Sequence, residues 1–195
     1  PTMGAIHRGH LSLVERARTE SATVVATIFV NPRQFGVAAD LDRYPRPIEN
    51  DLALLELAGV DLVFTPATDE MYQPGFTTTV YLGGPALNFE ASERPNHFDG
   101  VATVVAKLLL QSLPDSAYFG RKDAQQLAVV RQVVRDLNIP VEIAAMPTIR
   151  EHDGLAISSR NAALNEEHRR AAPALYLALS AMRDQYRSGM QDPTK

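Results

Sequence analysis

The chain has no cysteine and no tryptophan. The first absence excludes disulfides, thiolate metal sites and cysteine nucleophiles, and it fits a reducing compartment. No apolar run is long enough to span a bilayer, and no signal-peptide pattern is present, so the expectation is a cytoplasmic protein without a membrane partner. There is no excess of positive charge either. Nineteen Lys and Arg face 23 Asp and Glu, a net charge of −4, which argues against a general nucleic-acid binder. An anionic ligand must therefore be held by a local site. The chain also lacks a G-x-x-x-x-G-K-[ST] loop and a G-x-S-x-G elbow, which excludes a P-loop enzyme and removes the usual serine-hydrolase signal.

What is present, over 195 residues that are 45% hydrophobic and 22% charged, is enough apolar material for one good core. Short, continuous apolar runs at 22–30, 61–66, 116–120 and 141–147 read as buried parallel strands. Between them, apolar residues recur at helical spacing from His7 to Thr19, from Ile48 to Ala58, from about Val101 to Leu113 and over 123–138. The stretch 31–47 reads as a loop, 67–96 as a long surface excursion, and 166–187 as one amphipathic helix. This alternation predicts an α/β fold, a Rossmann-like parallel sheet flanked by helices. The pattern changes after Pro147, so the expected division is an α/β domain over 1–149 and the start of a smaller C-terminal domain over 150–195.

In such a sheet, ligands bind outside the carboxyl ends of the strands. NPRQF, GRKDAQQ and MPTIREHDG follow three of those ends, and the helix carrying HRGH opens on the same side if a strand precedes Pro1. His7 and His10 stand at the start of that helix, where free N–H groups and a partial positive charge favour anions. Gly9, between them, offers bare backbone against which a flat group can rest. Two exposed polar residues in a first turn would look the same. Lys122, in the strand-to-helix turn after Gly120, suits a phosphate. Asp123 and Gln126 match a capping box, while Gln125 and Gln126 could also bond a polar substrate. ISSRN beside Gly154 suits a mobile phosphate-gripping loop, or simple capping by Ser or Asn. Arg94 and His97 share a Pro-restrained loop, and Gln34 stands near a strand end.

Taken in order, PTMGAIHRGH, IFVNPRQF, RPNHFDGVATVVAKL, FGRKDAQQ and DGLAISSRN closely resemble the pantothenate synthetase family (pantoate–β-alanine ligases, AMP-forming). That family belongs to the nucleotidyltransferase superfamily. The resemblance implies a two-step ligation. ATP and pantoate give pantoyl adenylate and pyrophosphate; the β-alanine amine then gives pantothenate and AMP. It also implies an ATP site along Met3, Gly4, Ala5, His7, Gly9 and His10, with His7, His10 and Lys122 at the phosphates and His10 in an acid role. Gly120, Arg121, Lys122 and Asp123 would contact nucleotide, with Ile149 near adenine and Ile157, Ser158, Ser159 and Arg160 closing over the phosphates. Gln34 and Gln126 would hold pantoate, and Arg94 and His97 would border the pocket. Family Mg²⁺ ligands fall around 49–54, where Asp51 alone remains, so Mg²⁺ is expected mainly as a companion of ATP. A homodimer is implied as well.

The chain departs from the family pattern at Arg33, Arg121, Ala124 and Leu54. The family also has a central strand before the PTMG turn and a small domain after the last helix here. The expectation is therefore a piece of a longer protein, with an open slot in its sheet. Two other readings stay open, another nucleotidyltransferase and a non-catalytic nucleotide-binding homologue or fragment.

Overall fold

β-Branched runs pair as parallel strands, and the helices between them supply the covering faces. The computed structural model describes residues 1–190 and Asp192. In chain order the regular elements are α1 (Arg8–Glu20), β1 (Val25–Thr27), α2 (Ala38–Asp42), α3 (Ile48–Leu57), β2 (Leu62–Phe64), α4 (Thr68–Met71), α5 (Glu90–Glu93), α6 (His97–Ser112), β3 (Ser116–Gly120), α7 (Ala124–Asp136), β4 (Glu142–Met146), α8 (Glu166–Ala171) and α9 (Ala174–Arg187). The chain divides into a unit over Pro1–Pro147 and a second over Thr148–Lys195.

In the first unit β1 pairs in parallel with β2, from Val25 opposite Leu62 to Thr27 opposite Phe64. β3 pairs in parallel with β4, from Ser116 opposite Glu142 to Gly120 opposite Met146. A cleft of about 540 Å³ is lined by residues of β1 and β3 together with His10, Val14 and Leu109. Helix α6 carries the core. Eleven of its 16 residues are buried, among them Val101, Val105 and Leu109, packed with Phe29, Phe119, Val130 and Val133. Each such aliphatic side chain contributes roughly 1.5–3 kcal/mol on burial. A second cluster joins Ile6, Val14 and Ala17 to Ala26, Ile28 and Leu55, fixing α1 and α3 against β1.

Several boundaries differ from the sequence reading. The 22–30 run keeps strand pairing only over Val25–Thr27, because β2 is itself only three residues long; Ile28 goes on to bridge Thr2. The 31–47 loop contains a 3-10 turn, Pro32–Gln34, and α2. Asn31 caps that turn by accepting from the Arg33 N–H, and Pro32 suits its first position. The 67–96 excursion is not wholly superficial, since Met71 is 1% exposed and sits in the main core. Helix α6 begins at His97 rather than Val101. The single helix expected over 166–187 is two, α8 and α9, broken at Pro173, which cannot donate a backbone hydrogen bond.

The second unit has its own local order. Ile157 N–H donates to the Ile149 carbonyl at 3.0 Å, and Arg150 pairs across with Ala156. Gly154, at φ +93°, lies flat on the Tyr176 ring, where any Cβ would overlap the ring. The Arg150 guanidinium stacks over the same ring at 4.3 Å. Gly154 is thus a packed turn.

Candidate functional site

The site is built first from a helix cap. His7 is the N-cap of α1, and its Nδ1 accepts from Gly9 N–H at 3.1 Å. His10 answers, its Nδ1 accepting from His7 N–H at 3.4 Å. The two rings stack 4.0 Å apart at 21°. A Cβ on Gly9 would lie 2.9 Å from His7 Cε1, so the bare backbone expected to receive a flat ligand is covered by the histidine's own ring. With each Nδ1 accepting from a backbone N–H, each neutral ring carries its hydrogen on Nε2. The pair therefore offers two N–H donors.

Electrostatics agree with the neutral form. Burial first, then the neighbouring charges of His7, the N-terminal amine and Lys122, push the His10 pKa down to about 3. Burial, and after it the Lys122 charge, also lowers His7. The lowered pKa favours the neutral imidazole at His10 in the chain without nucleotide. A stability prediction follows. His10 has a folded pKa below its unfolded value of about 6.5. Between about 3 and 6.5 the unfolded chain binds the extra proton, so stability falls as pH drops through that window and is complete above it. The urea midpoint of His10→Asn should lose this part of the acid dependence. An unchanged slope between pH 4 and 6.5 would contradict it.

The turn after β3 acts on this pair electrostatically, the Lys122 charge lowering the His10 pKa and the Asp123 charge raising it. Lys122 Nζ lies 3.1 Å from Asp123 Oδ1, and Arg121 is exposed. The capping box expected of Asp123 and Gln126 is not formed, because Asp123 is the N-cap of α7 without a side-chain cap bond. A 3-10 turn over Arg121–Asp123 takes its place. Around Gly120 a Cβ would meet nothing nearer than Lys122 N at 4.0 Å, so no protein contact requires a glycine there. Gln125 does not face a substrate position. It donates to the Pro85 and Asn88 carbonyls and accepts from Glu90 N–H, tying the excursion to α7. Gln126 is half-buried, and its side chain makes no hydrogen bond among the described residues.

A buried polar group joins the other motifs. Gln34 is 7% exposed, with Nε2 at 3.0 Å from Met3 Sδ and Oε1 accepting from Asn31 Nδ2 at 3.1 Å. His97, also 7% exposed, places Nδ1 2.8 Å from the Gln34 carbonyl. Arg94 pairs with Glu90 at 2.6 Å, and the same carboxylate oxygen lies 4.0 Å from His97 Nε2. Met3, Gln34, Arg94 and His97 are thus linked in one network. Asn31, 1% exposed, and Tyr72 belong to it and were not singled out from sequence. An Asn before Pro at the end of an apolar run is the signal that could have marked Asn31.

Asp51 is corrected. It is 1% exposed, with Oδ2 accepting from Ala5 N–H at 2.8 Å and Oδ1 from Ile6 N–H at 2.7 Å. It holds the Gly4–Ile6 turn, where Gly4 (φ +83°) passes so close that a Cβ would lie 2.8 Å from Oδ2. Both Asp51 oxygens are thus engaged by backbone N–H groups, and no group of three or more His, Asp or Glu side chains able to hold a metal stands together among the described residues. Ile149 and the Ile157–Arg160 segment lie in the second unit. There Ile157 is buried, and the Ser158 side chain caps the 3-10 turn Ser159–Ala163 by accepting from Arg160 N–H at 3.3 Å.

Comparison with known proteins was made on both sequence and fold. The pantoate-beta-alanine ligase family model matches residues 1–194. A curated pantothenate synthetase of Chloroflexus aurantiacus is 58% identical over 98% of this chain and 68% of its own length. The crystal structure of pantothenate synthetase from Thermus thermophilus superposes with a TM-score of 0.94 at 58% identity, over 97% of this chain and 69% of that one. A Francisella tularensis pantoate-beta-alanine ligase, solved in complex with beta-gamma ATP and beta-alanine, gives a TM-score of 0.88 at 38% identity over 92% and 69%. The chain thus spans about two thirds of the length of these relatives. With a nucleotidyltransferase-type fold and this match over nearly all of its residues, the chain belongs to the pantoate-beta-alanine ligase family.

Proposed function

We propose that this chain catalyses the ATP-dependent condensation of pantoate with β-alanine, through pantoyl adenylate, releasing pyrophosphate and AMP. The observation that carries the reading is the stacked pair of His7 and His10 at a helix N-terminus, each Nδ1 held by a backbone N–H so that both Nε2–H groups are left as donors, in a chain of this family. Attack of the pantoate carboxylate on the α-phosphorus builds negative charge on the phosphoryl oxygens and on departing pyrophosphate. Fixed donors and a cation stabilise that charge without reorganising. In the second step the β-alanine nitrogen displaces AMP from the acyl carbon, and positioning supplies most of the rate.

Met3 to His10 and Gly120 to Asp123 form the ATP side. The bare Gly120 backbone lets the nucleotide approach closely. Gln34 and Gln126 hold pantoate, with Arg94 and His97 at its border. Mg²⁺ arrives on ATP, held by phosphate and water. The family also supports a cytoplasmic homodimer, which sedimentation of the purified chain tests directly.

Gln126, with its carboxamide unengaged, is expected to serve the acid substrate. Gln126→Ala should raise the pantoate KM roughly tenfold, the effect of one lost hydrogen bond, while the ATP KM stays within about twofold. Equal losses for both substrates would remove Gln126 from the pantoate site. Substrate-dependent pyrophosphate exchange separates this ligase from other nucleotidyltransferases and from a non-catalytic binder.

A further inference from the structure

The polarity of the network around Asn31 can be read from its backbone members, whose roles are unambiguous. The Gly100 carbonyl only accepts, so the Asn31 amide nitrogen faces it, at 3.0 Å. The Arg33 N–H only donates, so Asn31 Oδ1 faces it, at 3.3 Å. The Tyr72 hydroxyl, 2.7 Å from the same oxygen, must then be a donor. The Asn31 nitrogen has a second hydrogen, which goes to Gln34 Oε1. The Gln34 oxygen is thereby turned inward, and its NH₂ group faces outward toward Met3, whose sulfur is a weak acceptor.

Tyr72 is well held for this task. Its ring packs near Phe29 and Phe76, at 6.0 and 5.1 Å between centroids. The Arg33 guanidinium lies 5.5 Å from the Tyr72 ring and 5.4 Å from that of Phe76, and donates to Thr79 Oγ1 at 2.6 Å. Arg33, one of the departures from the family pattern, therefore anchors the 72–79 segment to the turn that carries Gln34. Burial pushes the Tyr72 phenol up to about 12, which keeps the donor protonated.

We propose that Tyr72 is a positioning residue for the acid substrate: its hydroxyl bond, the shortest of three that hold Asn31, with those of the Gly100 carbonyl and the Arg33 N–H, fixes Asn31 and through it the Gln34 carboxamide with its oxygen inward, so that the site presents an N–H donor and selects a substrate oxygen there. The inference rests on the reading of Gln34 as a pantoate contact. A freely rotating carboxamide would accept or donate with equal ease; a locked one does not.

The test is steady-state kinetics of Tyr72→Phe, Asn31→Asp and Gln34→Ala in this chain, each checked for folding by circular dichroism. Tyr72→Phe keeps the ring and removes only the donor. It should raise the pantoate KM roughly tenfold, with kcat and the ATP KM within about twofold. Asn31→Asp should raise the pantoate KM further, because a carboxylate cannot donate to Gln34 Oε1 and turns the carboxamide round. A normal pantoate KM in Tyr72→Phe, beside a raised one in Gln34→Ala, overturns the positioning role alone. A normal pantoate KM in Gln34→Ala overturns the substrate reading of the site. The ¹⁵N side-chain amide signals of Gln34 report independently of turnover. A shifted or broadened pair in Tyr72→Phe supports the lock, and an unchanged pair overturns it.

Discussion

His10→Ala should lower pantoate-dependent ATP–pyrophosphate exchange by at least about a hundredfold, the usual effect of removing a fixed donor from a developing oxyanion. Lys122→Ala should do the same by removing the cation whose charge reaches both imidazoles. The two changes should differ in their cost to the fold. His10 Nδ1 accepts from His7 N–H, so its loss opens half of a capping box and should cost about 1 kcal/mol of stability. Lys122 is paired only with its own neighbour Asp123 among the described residues, and its loss should leave the urea midpoint unchanged. His10→Gln places an amide N–H near the Nε2 position and should recover part of the exchange rate. Exchange at the normal rate in either alanine variant would remove that residue from phosphate chemistry.

Asp51→Ala should be the most destabilising single change considered. It strips the acceptor from two backbone N–H groups, one of them buried, and leaves a hole beneath the Gly4–Ile6 turn. Hydrogen bonds to a charged acceptor contribute about 1.5–3 kcal/mol each, so the expected loss is roughly 3–5 kcal/mol. Asp51→Asn keeps one acceptor oxygen but turns an N–H donor toward a backbone N–H, and should fall between Asp51→Ala and the unaltered chain. A metal-ligand role predicts a different result, a wild-type stability that itself depends on Mg²⁺. Here the urea midpoint of the unaltered chain should be the same with chelator as with Mg²⁺, and Asp51→Ala should fall by the same amount in both. A midpoint loss that appears only with Mg²⁺ would restore the metal reading.

What could be read from sequence and what could not separate by distance along the chain. The His7–Gly9–His10 device was legible because all its bonds are made within four residues, although the neutral state of the rings was not. Burial and the Lys122 charge produce that state, and neither is local. The four strands were visible as apolar runs, but the length of the first depends on a partner, β2, that offers only three residues. Asp51 was misread because its partners, Ala5 and Ile6, lie more than 40 positions away, and an acidic residue in a first helical turn carries no mark of burial. Asn31 and Tyr72 were missed for the same reason. The Pro173 break was within reach, since proline in a helix interior removes a hydrogen bond whatever the tertiary context. The capping box of Asp123 shows the opposite error, a local pattern overridden by the 3-10 turn that precedes α7.

Adenylation at the His7–His10 turn is the central claim, and ATP–pyrophosphate exchange measured on this chain with and without pantoate tests it most directly. The exchange should require pantoate, be lost in His10→Ala and Lys122→Ala, and persist in the absence of β-alanine. Exchange that ignores pantoate, or a folded chain that binds ATP and exchanges nothing, would contradict it.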